Sequence, residues 1–443
     1  MYEIIIRNGQ IVKESSIVQG DIAICDGKIQ EISPEINEKA KQEIDANGQF
    51  VFPGFIDVHV HFSEPGREIW EGFRTGSQML AAGGCTTYFD MPLNAIPATT
   101  NAERVFEKQQ LASQKSVTHC ELWGGLVNES VERLEEMANA GVIGFKAFMP
   151  RTNDPTFEHI KNELLLKGMK KISELGKILS LHAESDEILE FALQKARKET
   201  NLTEAERYLK SRPKEAELEA VSRAIYYSKL TNCPLHFVHI STPEAVSLIQ
   251  QARKEGMNIS LETCPHYLFF NSSAIDKIGY EAKCAPPLRE EVTRQALLEA
   301  FKNGEIDILS SDHSPCTKNL KDPREHDVFS AWGGINGGQF TFLAALELAK
   351  RENIPYSELI KFTSINAAKR FQLTEKGTIE IGKLADIAIV SEKNFTVQEK
   401  NMMSKNPQSI YEHHTFPHSI EYCLVQGKII FSSKKGIVNH ITS

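Results

Sequence analysis

Gly54-Phe55-Ile56-Asp57-Val58-His59-Val60-His61-Phe62 reads as a short buried strand that closes on two histidines. Apolar residues on both faces suit a strand of a parallel sheet, which is covered on each side. His59 and His61 lie two apart, so both imidazoles project from one face. Seven further apolar runs follow, at 86–92, 119–126, 141–149, 178–184, 234–241, 258–266 and 306–314. Helical patterns separate them, including 70–82, 164–175 and a long charged stretch at 203–229. Strands and helices alternating in this way over 54–372 predict an α/β fold, a (β/α)8 TIM barrel. A doubly wound open sheet is the runner-up, but no Gly-rich phosphate loop follows the first strand.

Outward from this region, the two chain ends share another style. Asp21-Ile22-Ala23-Ile24-Cys25 and Lys28-Ile29-Gln30-Glu31-Ile32 flank Asp26-Gly27, a hairpin signal. Asp386–Val390 and Ile420–Val425, the latter before Gln426-Gly427, repeat the pattern. Residues 1–53 and 373–443 are therefore expected to form one small β-sandwich domain built from both termini, with 54–372 as the barrel.

Composition narrows the partners. The chain has 443 residues, 41% hydrophobic and 25% charged, with net charge −9. It has no basic block to track a nucleic-acid backbone. No apolar run approaches the ~20 residues of a membrane span, and Met1-Tyr2-Glu3-Ile4 does not begin a signal peptide. Eight cysteines without a Cys-x-x-Cys pair read as reduced thiols. The expectation is a cytoplasmic enzyme that binds neither nucleic acid nor membrane.

In a barrel the chemistry sits at the C-terminal strand ends. Those ends carry His59 and His61, Lys146, His182, His239 and Asp312. His-x-His alone is common, and two satisfied polar residues would explain it. Imidazoles converging in one cavity from several strands are costly to bury unless an ion satisfies them, so the full set points to metal. Lys146 has two readings. As an ammonium it is a solvated or ion-paired lysine; as an amine that has taken up CO2 it is a carbamate able to bridge two ions. Asp312 could be a terminal ligand, a proton shuttle or a helix N-cap.

At these residues the chain resembles the cyclic-amidohydrolase branch of the amidohydrolase superfamily, which includes dihydroorotase, hydantoinase and allantoinase. Pro53–His61, the lone Lys146, the histidines, Ser311-Asp312-His313 and the return strand at Gly377–Asp386 carry the resemblance. It implies a metal-bearing barrel with a sandwich from both termini. One ion would be held by His59, His61, carboxylated Lys146 and Asp312, and a second by Lys146 (an N6-carboxylysine), His182 and His239. It also implies Asp312 as the catalytic proton carrier, zinc as the default ion with Fe, Co or Mn as substitutes, and a homotetramer.

Three departures speak against dihydroorotase. Ser63 stands where that enzyme has an arginine, Ala285 where it has an asparagine before Pro286-Pro287-Leu288-Arg289, and Cys316 where it has a histidine. All three would have recognised a carboxylate. Asp90–Asn94, Ser311–Cys316 and Ala331–Ile335 resemble allantoinase motifs, so the expected substrate is allantoin, opened to allantoate in purine-nitrogen salvage. Hydantoins, dihydropyrimidines and dihydroorotate are the alternatives. Arg151 stands where hydantoinases carry a tyrosine, and Met149–Thr152 departs from the allantoinase pattern as well. Substrate contacts are expected from Ser63, Asn94, Ala285, Ser314, Cys316 and Trp332. A non-catalytic scaffold relative would have lost metal ligands, and none is missing here. Glu64 and Arg67 read as an ion pair shaping the first loop, and His266 as structural. His413, His414 and His418 read as surface residues, and Glu215 and Glu217 as a solvated helix face or a subunit contact.

Overall fold

The computed structural model describes residues 1–152 and 154–438. Positions 439–443 of the expected C-terminal segment lie outside the described residues. Five strands open the chain: β1 (Tyr2–Val12), β2 (Ile17–Cys25), β3 (Lys28–Ser33), β4 (Ala40–Asp45) and β5 (Phe50–Pro53). Eight more form the middle: β6 (Phe55–Val60), β7 (Cys85–Asp90), β8 (His119–Gly125), β9 (Gly144–Phe148), β10 (Leu179–His182), β11 (Leu235–Phe237), β12 (Ile259–Thr263) and β13 (Ile308–Leu309). The C-terminal set is β14 (Ile387–Ser391), β15 (Phe395–Thr396), β16 (Thr415–Phe416), β17 (Ser419–Val425), β18 (Lys428–Ser432) and β19 (Gly436–Ile437).

Strands β6 to β13 pair in parallel with their sequence neighbours. The seam between β6 and β13 is closed where Val60 bridges His313 and the His61 N–H donates to the His313 carbonyl at 2.8 Å. This is the expected (β/α)8 barrel. Several strands are shorter than their apolar runs, and the reason lies in the backbone. His239 and Asp312 take φ of 40° and 45°, which turns the chain out of the ladder just past the strand ends. One helical expectation is corrected. The charged stretch at 203–229 is two helices, Glu204–Ser211 and Lys214–Thr231, separated at Pro213, which has no N–H to continue the first. Thr203 and Glu206 form a capping box that starts the shorter one.

Nine of the terminal strands join in one sheet with β5 as its seam, while β15 and β16 pair separately. There Val51 pairs with Ile11 of β1 in parallel and with Ile389 of β14 in antiparallel register. Both arms contribute to a shared core of Ile4, Ile6, Ile24, Ile387, Ile389 and Leu424, so the two termini build one sheet domain. Main-chain bonds from Ile29 to Lys383 and from Ala385 to Gly27, each 2.9 Å, close its far edge. Asp26-Gly27 and Gln426-Gly427 both hold positive φ, as tight two-residue hairpins require. All eight cysteines are unbridged. Among the described residues no helix is long and apolar enough to cross a membrane.

Aromatic rings lock the sandwich to the barrel. Phe342, on the helix Thr341–Glu352, meets Phe52 of β5 edge-on at 5.4 Å and Phe55 of β6 at 6.0 Å, with all three buried. Phe342→Ala should therefore cost about 3–5 kcal/mol of stability. Urea unfolding followed by tryptophan fluorescence should show a lower midpoint, and an unchanged midpoint would contradict this packing role.

Candidate metal centre

The residues singled out at the strand ends meet in one place. His59 and His61 are 1% and 4% exposed, and their Nε2 atoms lie 3.3 Å apart. Asp312 Oδ1 stands 3.2 Å from the first and 3.3 Å from the second. The His239 ring centre lies 5.4 Å from His59 and 4.5 Å from His182, and His182 stacks on Phe148 at 4.6 Å. These five residues line a cavity of about 430 Å³. Lys146 is fully buried, with Nζ 5.0 Å from the ring centre of Phe148, itself part of that lining. Among the described residues neither Lys146 Nζ nor His239 Nδ1 has a hydrogen-bond partner.

The electrostatics suit a cation. Burial pushes His61 down to about 4, His239 well below its ordinary value and His182 in the same direction. The imidazoles are thus neutral at physiological pH, with lone pairs to offer. Burial alone would raise Asp312, yet His59 and His61 beside it hold the carboxyl below its ordinary value. Burial brings Lys146 down to about 7, so much of it is a neutral amine. Neutral imidazoles, one carboxylate and an unpartnered buried amine form a donor set that fits divalent cations.

Carboxylates stand behind these side chains and their neighbours, and sequence reasoning missed them. Glu262 Oε1 is 2.6 Å from His59 Nδ1, and its Oε2 is 3.1 Å from His236 Nε2. Glu184 holds His182 Nε2 at 2.7 Å and pairs with Arg212; burial opposes its ionisation, but Arg212 and His182 bring it to about 2. Asp57 accepts the Ser311 N–H at 3.0 Å and the His59 N–H at 3.3 Å, while burial raises it to about 6. Glu71 reaches His313 Nε2 at 3.2 Å. Asp57, Glu184 and Glu262 had a sequence signal, an acid inside an apolar run, most plainly Glu262 within 258–266, whereas Glu71 in the first loop had none.

On the substrate side, Asn94, Ala285, Ser314 and Trp332 line the cavity. Asn94 Nδ2 sits 3.3 Å from His61 Nδ1. Ser314 donates to the Asp312 carbonyl at 2.9 Å, and Trp332 Nε1 donates to the Ser314 carbonyl at 2.8 Å. The Trp332 ring meets Trp70 at 4.7 Å. Ser63 and Cys316 are buried but are not part of that lining. Ser63 occupies a turn with φ of 60°, and Cys316 faces a separate small cleft with Glu281 and Lys321. Arg67, Arg151 and Arg212 also line the cavity, each tied to acids: Asp154, Asp186 with Glu190, and Glu184.

Several expectations outside the ligand set are corrected. Glu64 and Arg67 do not pair. Glu64 is drawn to the start of the helix Phe73–Ala82, where it accepts the Phe73 N–H at 2.8 Å in place of a cap that Gly72 cannot supply, and it pairs with Lys115. His418 is buried, not at the surface, and bonds to the Tyr356 hydroxyl at 2.8 Å. His414 is half-buried against Glu347, whereas His413 is exposed. Glu217 is buried because Ser241 and Arg289 satisfy its carboxylate, while Glu215 stays exposed. His266 is buried, and its Nε2 has no partner among the described residues.

Known proteins agree with this architecture. Residues 50–430 match the model of the amidohydrolase family. The chain is 49% identical to the allantoinase of Bacillus velezensis, over 97% of this chain and 94% of that protein. It is 40% identical to the allantoinase of Rubrobacter xylanophilus, over 97% and 94% of the two chains, and 35% identical to that of Escherichia coli, over 98% and 96%. Among solved structures, L-hydantoinase (dihydropyrimidinase) from Arthrobacter aurescens superposes with a TM-score of 0.95 at 29% identity, covering 99% of this chain and 98% of that one. Dihydropyrimidinase from Brevibacillus agri gives 0.89 at 28% identity, covering 98% and 96%. A closed parallel barrel with a convergent donor set, matched over nearly its whole length, belongs to the amidohydrolase family.

Proposed function

We propose that this chain is an allantoinase, hydrolysing a ring amide of allantoin to give allantoate at a binuclear metal centre. The observation that carries the reading is the near full-length identity of 35–49% to allantoinases, joined to a cavity where His59, His61, His182, His239 and Asp312 converge. The proposed ligands are His59, His61, Lys146 and Asp312 for one ion, and Lys146, His182 and His239 for the other. Lys146 would serve as an N6-carboxylysine, and zinc is the proposed metal. Support for the carbamate comes from an amine buried among these ligands without a hydrogen-bond partner. The barrel at 54–372 is proposed as the catalytic domain, carried by a sandwich of 1–53 and 373–443, and the assembly as a homotetramer.

Bound ions of this kind lower the pKa of a water molecule and polarise a carbonyl. Asp312, held anionic beside His59 and His61, is placed to accept the water's proton and return it to the leaving ring nitrogen. The water's hydroxyl becomes part of the new carboxylate, its proton ends on nitrogen, and the ring C–N bond breaks. Asn94 offers an amide to the ring or its ureido arm, with Ala285, Ser314 and Trp332 shaping the wall. Glu184 fixes His182 through Nε2, leaving Nδ1 as its donor atom.

A neutral substrate suits the cavity. Each arginine in its lining already has an acid partner, and Lys283, the lysine there, donates to the Phe329 and Ala331 carbonyls. Allantoin has no carboxylate, whereas dihydroorotate does. With metal-reconstituted enzyme, kcat/KM for allantoin should exceed that for hydantoin and dihydroorotate by ~10³-fold, about 4 kcal/mol of differential transition-state binding. A preference for either competitor would overturn the substrate while leaving the hydrolase. Lys146→Ala should lose most bound metal and activity, with partial recovery in the presence of short carboxylic acids. Full activity in that variant would end the carbamate proposal.

A further inference from the structure

We propose that Glu262 is a positioning residue of the metal centre, fixing the His59 imidazole for coordination and supplying negative charge, with His236 holding Glu262 in turn. The inference rests on the metal-centre reading above and adds a residue outside its ligand set.

Glu262 lies on β12 with a fully buried side chain. Buried carboxylates away from this centre have a cation in reach, as Asp90 has Lys108, Glu217 has Arg289 and Asp386 has Lys376, whereas those around it, Asp57, Glu71 and Asp312, share with Glu262 the lack of a lysine or arginine partner among the described residues. Among the described residues Glu262 has only imidazoles, His59 at 2.6 Å and His236 at 3.1 Å. A carboxylate is not retained in a protein interior without compensating charge or strong donors. His59 links Glu262 to the cavity, where its Nε2 faces His61 and Asp312 and a bound cation would supply that charge.

The geometry also assigns the tautomer. With the proton on Nδ1 donated to Glu262, the lone pair sits on Nε2, the nitrogen turned toward the other ligands. The second carboxylate oxygen is occupied by His236 Nε2, whose own Nδ1 lies 2.8 Å from the Ser260 hydroxyl. Ser260, Glu262 and His236 therefore form a clamp of stiff strand residues on β11 and β12, and His59 can rotate only by breaking it. The proposed ligands return less negative charge than two divalent ions carry, and Glu262 adds to it from the side away from the substrate.

The test is divalent-ion affinity, measured with zinc against a competing chelator on the full-length protein. Glu262→Gln keeps the size and an acceptor for His59 but removes the charge. It should weaken zinc binding by 10–100-fold while leaving the circular dichroism and the metal-free melting temperature unchanged. His236→Asn should weaken zinc in the same direction but less, and the double variant should be no worse than Glu262→Gln alone. Zinc affinity within twofold of wild type in Glu262→Gln would overturn the inference. If Glu262→Gln does not fold, His236→Asn decides: weakened zinc supports the clamp, and unaltered affinity overturns it. Wild-type protein that binds no zinc would instead defeat the metal-centre reading itself.

Discussion

Imidazoles, a lysine amine and a carboxylate are packed together at the mouth of the barrel with too few protein partners to satisfy them. Everything nearby is organised around that constraint. The strand ends deliver the groups, burial favours the neutral forms of His61, His182 and His239, and carboxylates hold the outer nitrogens of His59 and His182. A site built this way is complete only with something positive at its centre.

The contacts that place His59, His61 and Asp312 are also the ones that close the barrel. Asp57 ties the backbone of His59 to Ser311, and His61 bonds to His313 across the last seam. His313 is braced by Glu71 and by the Gly338 N–H. The first and last strands therefore cannot drift apart without disturbing His59, His61 and Asp312 together. Positive φ at His239 and Asp312 belongs to the same economy, because the chain leaves the ladder there with its functional side chain still at the mouth.

Much of this was legible in the residues. Alternating apolar runs located the barrel strands, several of them carrying the polar residues that meet at its mouth, and Asp26-Gly27 located a hairpin of the terminal sheet. What escaped reading depended on distance along the chain. Glu64 and Arg67 stand close in sequence, yet Glu64 answers a helix start and Arg67 reaches Asp154, 87 residues away. Glu262 and His59 are 203 residues apart, so their bond exists only once the barrel has closed. Glu217 looked like a solvated acid because its partners, Ser241 and Arg289, arrive from other strands and loops. Pro213 was visible, but the strong charge pattern around it concealed the break between two helices.

The most direct test of the account is the mass of the intact chain, measured by native mass spectrometry on active wild-type enzyme. The expected chain is heavier than its polypeptide by two divalent ions and one carbon dioxide. Full activity on a cyclic amide from a chain with the bare polypeptide mass would contradict it.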